Sequence, residues 1–285
     1  MPGWLAATLD ADTVDFAHAR RTPPGGWQIG AYGTRRASEM HLEGHQCTTM
    51  LRPGEYQLLM VEAPNVPAAE LKNAIRWKVK DMVEYKIDEG TIDILDIPPA
   101  DPAAASRARP MYAVAARNEL LQGRIRELEA ARIPLSVIDI PETAQRNVAA
   151  LYEGGERGVA LAYFGQREGL LTINFRSDLY LARRLEVGVE ELAGDAGGEG
   201  GALSRVALEI QRTLDHFDRQ FRHVAVAKLV IAPTPRPTRL AEFLQARFEL
   251  QVVQADLREV LAFERPPEEQ AQWKLFHHFG AALRT

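Results

Sequence analysis

The chain has 285 residues, of which 46% are hydrophobic and 26% charged, values typical of a globular protein large enough for two domains. A formal net charge of −5 argues against nucleic-acid binding, because such proteins usually carry a basic surface that neutralises phosphates. The single cysteine, Cys47, excludes an intrachain disulfide. The longest unbroken apolar runs, residues 111–116 and 159–164, are far shorter than the roughly 20 residues that a membrane-spanning helix needs.

Three short strand-like runs open the chain, at residues 5–9, 13–19 and 26–32, and tight turns join them. The polar stretch 34–49 predicts a loop, and the β-rich run 56–62 predicts a buried strand.

Helical periodicity follows, because Leu71, Ile75 and Val79 recur at helical spacing. This helix is predicted to run to about Tyr85, and residues 91–97 alternate like a strand.

Proline and alanine dominate residues 98–110, which are predicted to form a mobile connector. Beyond it the patterns predict a strand at 111–116, a helix after Asn118, a strand at 135–139 and a helix from Pro141 to about Tyr152.

A second strand triplet begins at Gly158 and covers residues 158–164, 170–175 and 179–187. A glycine-rich loop at 194–201 then leads into a long predicted helix. The apolar stripe of that helix consists of Leu203, Val206, Ile210, Leu214, Phe217 and Phe221. A strand at 228–232, a helix at 238–248, a strand at 250–255 and a final helix at 268–283 complete the prediction.

The repeated triplet, each time followed by alternating helices and strands, resembles the duplicated actin-like (RNase H-like) α/β fold with two lobes. On this basis residues 1–155 form the first lobe, with a small inserted subdomain at about 65–110, and residues 156–285 form the second lobe. Proteins of this fold usually bind ATP between the lobes.

Several stretches also resemble one family in their order and spacing. Residues 71–97 read LKNAIRWKVKDMVEYKIDEGTIDILDI, and residues 112–151, 206–217 and 276–284 fit the same group. They are similar to the MshI proteins of mannose-sensitive haemagglutinin (MSHA) pilus systems and, more loosely, to PilM, the actin-like component of type IV pilus machines.

The resemblance implies a cytoplasmic protein that lies peripherally at the inner membrane. It would bind the cytoplasmic tail of a bitopic PilN-like partner and, through it, connect indirectly to the pilus assembly ATPases and platform proteins. Apolar surface on either lobe would allow self-association, although the sequence indicates no symmetry.

The loops that should hold a nucleotide depart from the actin-like pattern. The first, around Asp10 and Asp12, has two carboxylates and no glycine, so it would repel a phosphate. The second keeps Gly165 and Gly169, which fit either a phosphate-binding turn or a hairpin turn. The third begins at Pro233 and contains three prolines where a glycine turn is expected.

These departures predict a non-enzymatic pseudo-ATPase that needs no cofactor. The alternative is a PilM-like protein that binds ATP with magnesium and hydrolyses it weakly.

Metal sites are also conceivable from residue type. Asp10 and Asp12 fit a metal pair, but a solvated polar turn explains them equally. His41, His45 and Cys47 have zinc-like spacing without an evident fourth ligand. The sequence therefore predicts no metal.

A partner surface is predicted on the helix that carries Arg76 and Trp77, together with Tyr85. Tryptophan, tyrosine and arginine are enriched at binding hot spots. The alternative is that Trp77 packs inside the small subdomain.

Overall fold

This computed structural model describes residues 3–23, 25–40, 44–98, 109–195 and 197–284, and it contains both strands and helices. The strands are β1 Trp4–Asp10, β2 Thr13–Thr22, β3 Gly26–Arg36, β4 Gln46–Met50, β5 Tyr56–Glu62, β6 Gly90–Asp96, β7 Pro110–Arg117, β8 Leu135–Asp139, β9 Gly158–Phe164, β10 Gly169–Phe175, β11 Asp178–Leu185, β12 Val226–Ile231, β13 Gln251–Gln254 and β14 Ala262–Phe263. The α-helices are α1 Ala68–Val79, α2 Asn118–Ala130, α3 Pro141–Ala149, α4 Val189–Gly194, α5 Ala202–Gln220, α6 Leu240–Gln245, α7 Leu257–Val260, α8 Glu269–Lys274 and α9 Phe276–Ala282.

The chain divides into two compact units. The first consists of Met1–Met50 and Ser136–Thr285, and the second of Leu51–Leu135. The predicted inserted subdomain, residues 65–110, lies inside the second unit. That unit also includes β5, which pairs with β7, and α2, which packs against β7.

The first unit contains two sheets that share one arrangement of five strands, and the first sheet carries β14 as a sixth strand. In the first sheet the order is β14-β3-β2-β1-β4-β8, and in the second it is β11-β10-β9-β12-β13. In both sheets an antiparallel three-stranded meander is extended by a parallel strand next to its first strand. The duplicated α/β fold and both predicted strand triplets are thereby confirmed.

Strand β4 was missed from the sequence, where residues 34–49 are predicted to be a loop. It pairs in parallel with β1, with Leu5 opposite Cys47 and Ala6 opposite Thr48. A five-residue strand that contains two threonines has little alternation of its own. Residues 46–50 form a strand because they pair with β1, some forty residues earlier in the chain.

Helices α3 and α9 cross between the two sheets. Helix α3 begins with Pro141, whose fixed φ suits the first helical position. It packs on β9, β10 and β11, while α9 packs on β1, β2 and β4. At their crossing the backbones approach so closely that a Cβ on Gly280 would lie 2.1 Å from the carbonyl oxygen of Ala144.

The C-terminal part of the chain returns to the first sheet, since β14 pairs in parallel with β3 and α9 covers β1 and β2. The predicted single helix at 268–283 is wrong: it is interrupted at Leu275, whose φ and ψ are −101° and 12°. Because of this break, Trp273 in α8 reaches the end of β9 while α9 packs on β1, β2 and β4.

The second unit is a three-stranded antiparallel sheet in the order β5-β7-β6, packed against α1. Val61, Ile75, Val79, Ile92 and Met111 form its buried core. Helix α1 ends at Val79 and not near Tyr85, because the chain must turn back to enter β6, where the Tyr85 ring packs over Gly90. Of the predicted connector at 98–110, residues 99–108 lie outside the described residues.

Candidate functional site

The three loops predicted from the sequence follow the carboxyl ends of β1, β9 and β12. These strands have parallel neighbours: β4 next to β1, and β12 between β9 and β13. Ligands of open α/β sheets bind at the carboxyl edge of parallel strands. We call residues 10–13, 165–168 and 233–238 the crevice loops.

The first crevice loop is a tight, exposed turn. Ala11 has a φ of +52°, and the Thr13 hydroxyl donates to the carbonyl oxygen of Asp10 over 3.0 Å. The carbonyl oxygen of Asp12 accepts from the backbone N–H of Ala37 over 2.8 Å. Within the described ranges, no group of three or more His, Cys, Asp or Glu residues is placed to hold a metal ion, here or elsewhere.

The second crevice loop is a hairpin turn in which both backbone polar groups of Gly165 are bonded to other protein groups. The N–H of Gly165 donates to the carbonyl oxygen of Glu168, and its own carbonyl oxygen accepts from the N–H of Val189, both over 2.8 Å. A Cβ on Gly169 would lie 2.9 Å from the carbonyl oxygen of Tyr163. The structure therefore places both predicted glycines in a closely packed hairpin.

The third crevice loop begins at Pro233. The Thr234 hydroxyl donates to the carbonyl oxygen of Arg236 over 2.8 Å, so a side chain and not a glycine turn stabilises this segment. Two surface pockets of about 320 Å³ each share Arg236 in their walls. Among the described residues, those that line the two pockets include none from the turn at Asp10 to Thr13.

Asp256 gives one of these pockets a fixed negative charge. The side-chain hydrogen bonds from Arg258 hold the pKa of this carboxyl at about 2, with help from the Arg258 N–H and the Gln272 amide. The carboxylate oxygens lie 2.8 and 2.9 Å from Nε of Arg258. Asp256 is therefore ionised, and the Arg258 guanidinium that is hydrogen-bonded to it compensates its negative charge.

The segment from Gln272 to His278 was not singled out as a site from the sequence, although it joins the crevice loops to the first sheet. Its first contacts reach the second sheet: the indole N–H of Trp273 donates to the carbonyl oxygen of Phe164 over 2.7 Å. The Tyr163 ring stacks on Phe276 with 5.2 Å between centroids. Trp273 thus covers the end of β9, next to the second crevice loop.

The same segment also binds the first sheet. Lys274 Nζ donates to Asp15 Oδ1 and to Thr34 Oγ1, both over 2.7 Å. His278 Nε2 lies 3.0 Å from the Thr8 hydroxyl. Because Trp273 and Lys274 are adjacent, consecutive residues fasten the two sheets together. We call Gln272–His278 the strap.

His278 is buried and His277 is half-buried in the strap, and both are held neutral. Burial lowers the pKa of His277 to about 3, with smaller contributions from His278 and Arg184. Burial likewise lowers the pKa of His278 to about 4, opposed by Asp15. His277 Nε2 lies 3.2 Å from Gln145 Oε1. The only signal in the sequence was the adjacency of two histidines within the apolar run FHHFG.

The glycine-rich loop at 194–201 is organised by its own carboxylate. The oxygens of Asp195 accept from the N–H groups of Gly197 and Leu203 over 2.8 and 2.7 Å. These backbone bonds lower the pKa of Asp195. The Leu203 N–H at the start of α5, a donor that an external anion would use, is therefore already bonded to the carboxylate of Asp195.

The predicted partner residues differ in their surroundings. Trp77 is 62% exposed, so the alternative in which it packs inside the subdomain is wrong. Arg76 instead donates to the carbonyl oxygens of Ile87 and Gly90 over 2.6 and 3.1 Å. Tyr85 is half-buried, with the Arg117 guanidinium 5.0 Å from its ring centre. Trp77 is therefore the one of the three that presents a large free surface.

The zinc-like cluster is not assembled among the described residues. Cys47 is fully buried in β4, and burial raises the pKa of its thiol to about 11. The ring of His45 lies against His18, with 5.2 Å between centroids. His41 lies outside the described residues. No helix in the described part of the chain is long and apolar enough to span a bilayer.

Comparison with known proteins finds similarity at the level of structure. No family model and no curated protein sequence matches the chain. A solved PilM-PilN type IV pilus biogenesis complex contains a chain with 17% identity and a TM-score of 0.70, over 99% of this chain and 96% of that one.

Two further solved structures extend the comparison. The cytoplasmic domain of EpsL, an inner-membrane component of the type II secretion system of Vibrio cholerae, is 12% identical with a TM-score of 0.50, over 99% of this chain and 95% of that one. A Bacteroides thetaiotaomicron protein with an actin-like ATPase fold is 9% identical with a TM-score of 0.47, over 96% and 95%. Together with the repeated strand order, the whole-length similarity to the chain of the PilM-PilN complex assigns this chain to the actin-like fold.

Proposed function

We propose that this protein is a non-enzymatic component of a type IV pilus assembly platform, of the MSHA type, that binds the cytoplasmic tail of a bitopic PilN-like protein. The observation that carries the proposal is the whole-length similarity to a chain solved in a PilM-PilN complex. In this role the protein lies on the cytoplasmic face of the inner membrane and is linked to the assembly ATPases only through its partner.

The state of the crevice loops supports a role without nucleotide chemistry. Phosphate-binding loops present several free backbone N–H groups to the anion. Here the Gly165 N–H is bonded within its hairpin, and Asp10 and Asp12 bring negative charge to the opposite loop. Trp273 also covers the carbonyl end of β9.

The alternative is an ATP-binding, weakly hydrolysing protein, and the two pockets beside Arg236 favour it. A thermal-shift titration with Mg-ATP separates the two possibilities. A ligand that binds only the folded protein raises the melting temperature as its concentration exceeds the dissociation constant. We expect no shift at millimolar Mg-ATP, whereas a saturable rise would replace the proposal with the alternative.

The partner surface is proposed around Trp77 on α1. Tryptophan side chains that become fully desolvated dominate many interfaces, and truncating one typically costs about 2 kcal/mol or more of binding free energy. Pull-down and titration with the cytoplasmic tail of a PilN-like protein from the same organism test this. We expect Trp77→Ala to weaken binding by about thirtyfold or more.

Leu208→Ala is the matched control, because Leu208 is also a large exposed apolar residue but belongs to the other unit. If Trp77→Ala bound the tail as tightly as the unaltered protein, α1 would not be the partner surface. A tail that binds neither protein would contradict the proposed function itself.

A further inference from the structure

Two histidine rings meet beside the start of the first sheet. His18 belongs to β2, His45 immediately precedes β4, and their ring centres lie 5.2 Å apart with an angle of 83° between the planes. Both residues are half-buried. The Nε2 atom of His18 and the Nδ1 atom of His45 are themselves buried, and neither has a hydrogen-bond partner among the described residues. Buried polar atoms without a partner are costly, so these two nitrogens indicate a ligand.

The strand register explains why the two rings meet. β2 pairs with one side of β1, with His18 opposite Leu5, and β4 pairs with the other side. His18 and His45 therefore approach from the two strands that flank β1. Gly3, just before β1, permits this approach, because a Cβ there would lie 3.0 Å from Nε2 of His18 and 1.8 Å from the carbonyl oxygen of Ala19.

The separation of the rings fits two imidazoles that share one metal ion. A metal–nitrogen bond is about 2.0–2.1 Å long and the ring centre lies about 1.1 Å beyond the nitrogen, so two imidazoles at a tetrahedral angle have centres about 5 Å apart. The observed 5.2 Å agrees with this value. The rings can therefore take up a common ion without movement of the strands that carry them.

The charges around the pair are compatible with a cation. Burial lowers the pKa of His18, with smaller contributions in the same direction from His45 and Arg20, and Glu264 opposes them. The neutral imidazole that results is the form that binds metal. The Arg20 guanidinium is paired with the Glu264 carboxylate over 2.8 Å. Its positive charge is therefore compensated beside the site.

We propose that His18 and His45 form a binding site for a late first-row divalent metal ion, such as Cu²⁺, Ni²⁺ or Zn²⁺. Nε2 of His18 and Nδ1 of His45 are the protein ligands, and water completes the coordination. Imidazole nitrogen suits these ions, whereas Mg²⁺ and Ca²⁺ prefer oxygen ligands. Since no third His, Cys, Asp or Glu ligand is placed there within the described ranges, the ion exchanges with solvent. This inference does not depend on the proposed function.

The test titrates the full, untagged chain separately with CuCl2, NiCl2, ZnCl2 and MgCl2 in a calorimeter. We expect saturable binding of about one ion per chain, tightest for Cu²⁺, and no binding of Mg²⁺. His18→Gln and His45→Gln should each weaken Ni²⁺ binding by about tenfold or more, since the loss of even an outer-shell partner of a metal ligand costs that much. The double variant should not bind Ni²⁺. His216→Gln, an exposed change in α5, is the matched control and should bind Ni²⁺ as the unaltered protein does.

A spectrum of the unaltered protein tests the ligands without any substitution. Electron paramagnetic resonance of the Cu²⁺-loaded chain should show coupling to imidazole nitrogens, and the double variant should lose that coupling. The melting temperature of each variant is measured without metal, so that loss of folding is recognised. Absence of saturable binding by all three ions, unchanged binding by the double variant, or a copper spectrum without imidazole nitrogen would overturn the proposal.

Discussion

The crossing of α3 and α9 makes Gly280→Ala the sharpest test of the architecture. Gly280 lies in α9, and a Cβ at this position would be 2.1 Å from the carbonyl oxygen and 2.7 Å from the carbonyl carbon of Ala144 in α3. The third neighbour, Val148 Cγ2, would be 3.0 Å away. Two of these three atoms belong to a helix backbone, so they cannot rotate aside as a flexible side chain would.

The size of the effect follows from that overlap. An ordinary carbon–oxygen contact needs more than 3 Å, so the two helices would have to separate by about 1 Å. Overpacking a core typically costs about 1–3 kcal/mol, and the backbone contact puts this site at the upper end. Alanine regains about 1 kcal/mol through its better helix propensity. We therefore expect a net loss of about 2 kcal/mol in the free energy of unfolding.

Urea unfolding of the first unit, followed by tryptophan fluorescence, measures this loss as a lower midpoint at unchanged slope. Gly194→Ala is the matched control, because it ends α4 in the same unit and its added Cβ would meet open space. We expect its midpoint to stay close to that of the unaltered protein. If Gly280→Ala were as stable as Gly194→Ala, the close crossing of α3 and α9 would be refuted.

Four further outcomes follow from the structure. The pKa values of His277 and His278, about 3 and about 4, lie below the unfolded value of 6.5, so the unfolded state binds more protons and stability falls as pH drops below 6.5. Between pH 6.5 and 5 the protonation of each histidine should lower the free energy of unfolding by about 2 kcal/mol. Glutamine at both positions should reduce this pH dependence. An unchanged pH dependence in the double variant would assign the effect to other groups. Trp273→Phe removes the indole donor to the end of β9 and should lower stability by about 1 kcal/mol, whereas an unaltered melting temperature would mean that the bond contributes nothing. Cys47 should resist alkylation at pH 8 until the protein is unfolded, because it is buried with a pKa of about 11, and rapid labelling of the native protein would contradict that burial. Gly123→Ala, inside α2 with open space around its Cβ, should stabilise the second unit by about 0.5–1 kcal/mol, measured by calorimetry, and a destabilised variant would contradict the open environment.

Much of the site could be predicted from loop composition alone. Pro233 lacks a backbone donor, and the turn between β1 and β2 lacks glycine, whatever surrounds them. The role of Trp273 could not be predicted, because its partner, the carbonyl oxygen of Phe164, lies more than one hundred residues earlier. The exposure of Trp77 was equally out of reach, since a helical pattern identifies Ile75 and Val79 as buried but leaves the orientation of a flanking tryptophan open.

Local periodicity by itself determined the two strand triplets, the long helix α5 and the departure of the crevice loops from a phosphate-binding pattern. These features depend on alternation, helical spacing and turn chemistry among residues close together in sequence, so a short segment of the chain is enough to reveal them. Only the tertiary structure decided that 46–50 is a strand beside β1, that the last helix breaks at Leu275, and that the chain returns to pair β14 with β3. The physical reason is that each of these depends on hydrogen bonds and packing between residues far apart in sequence, whose favourable energy overrides weak local preferences.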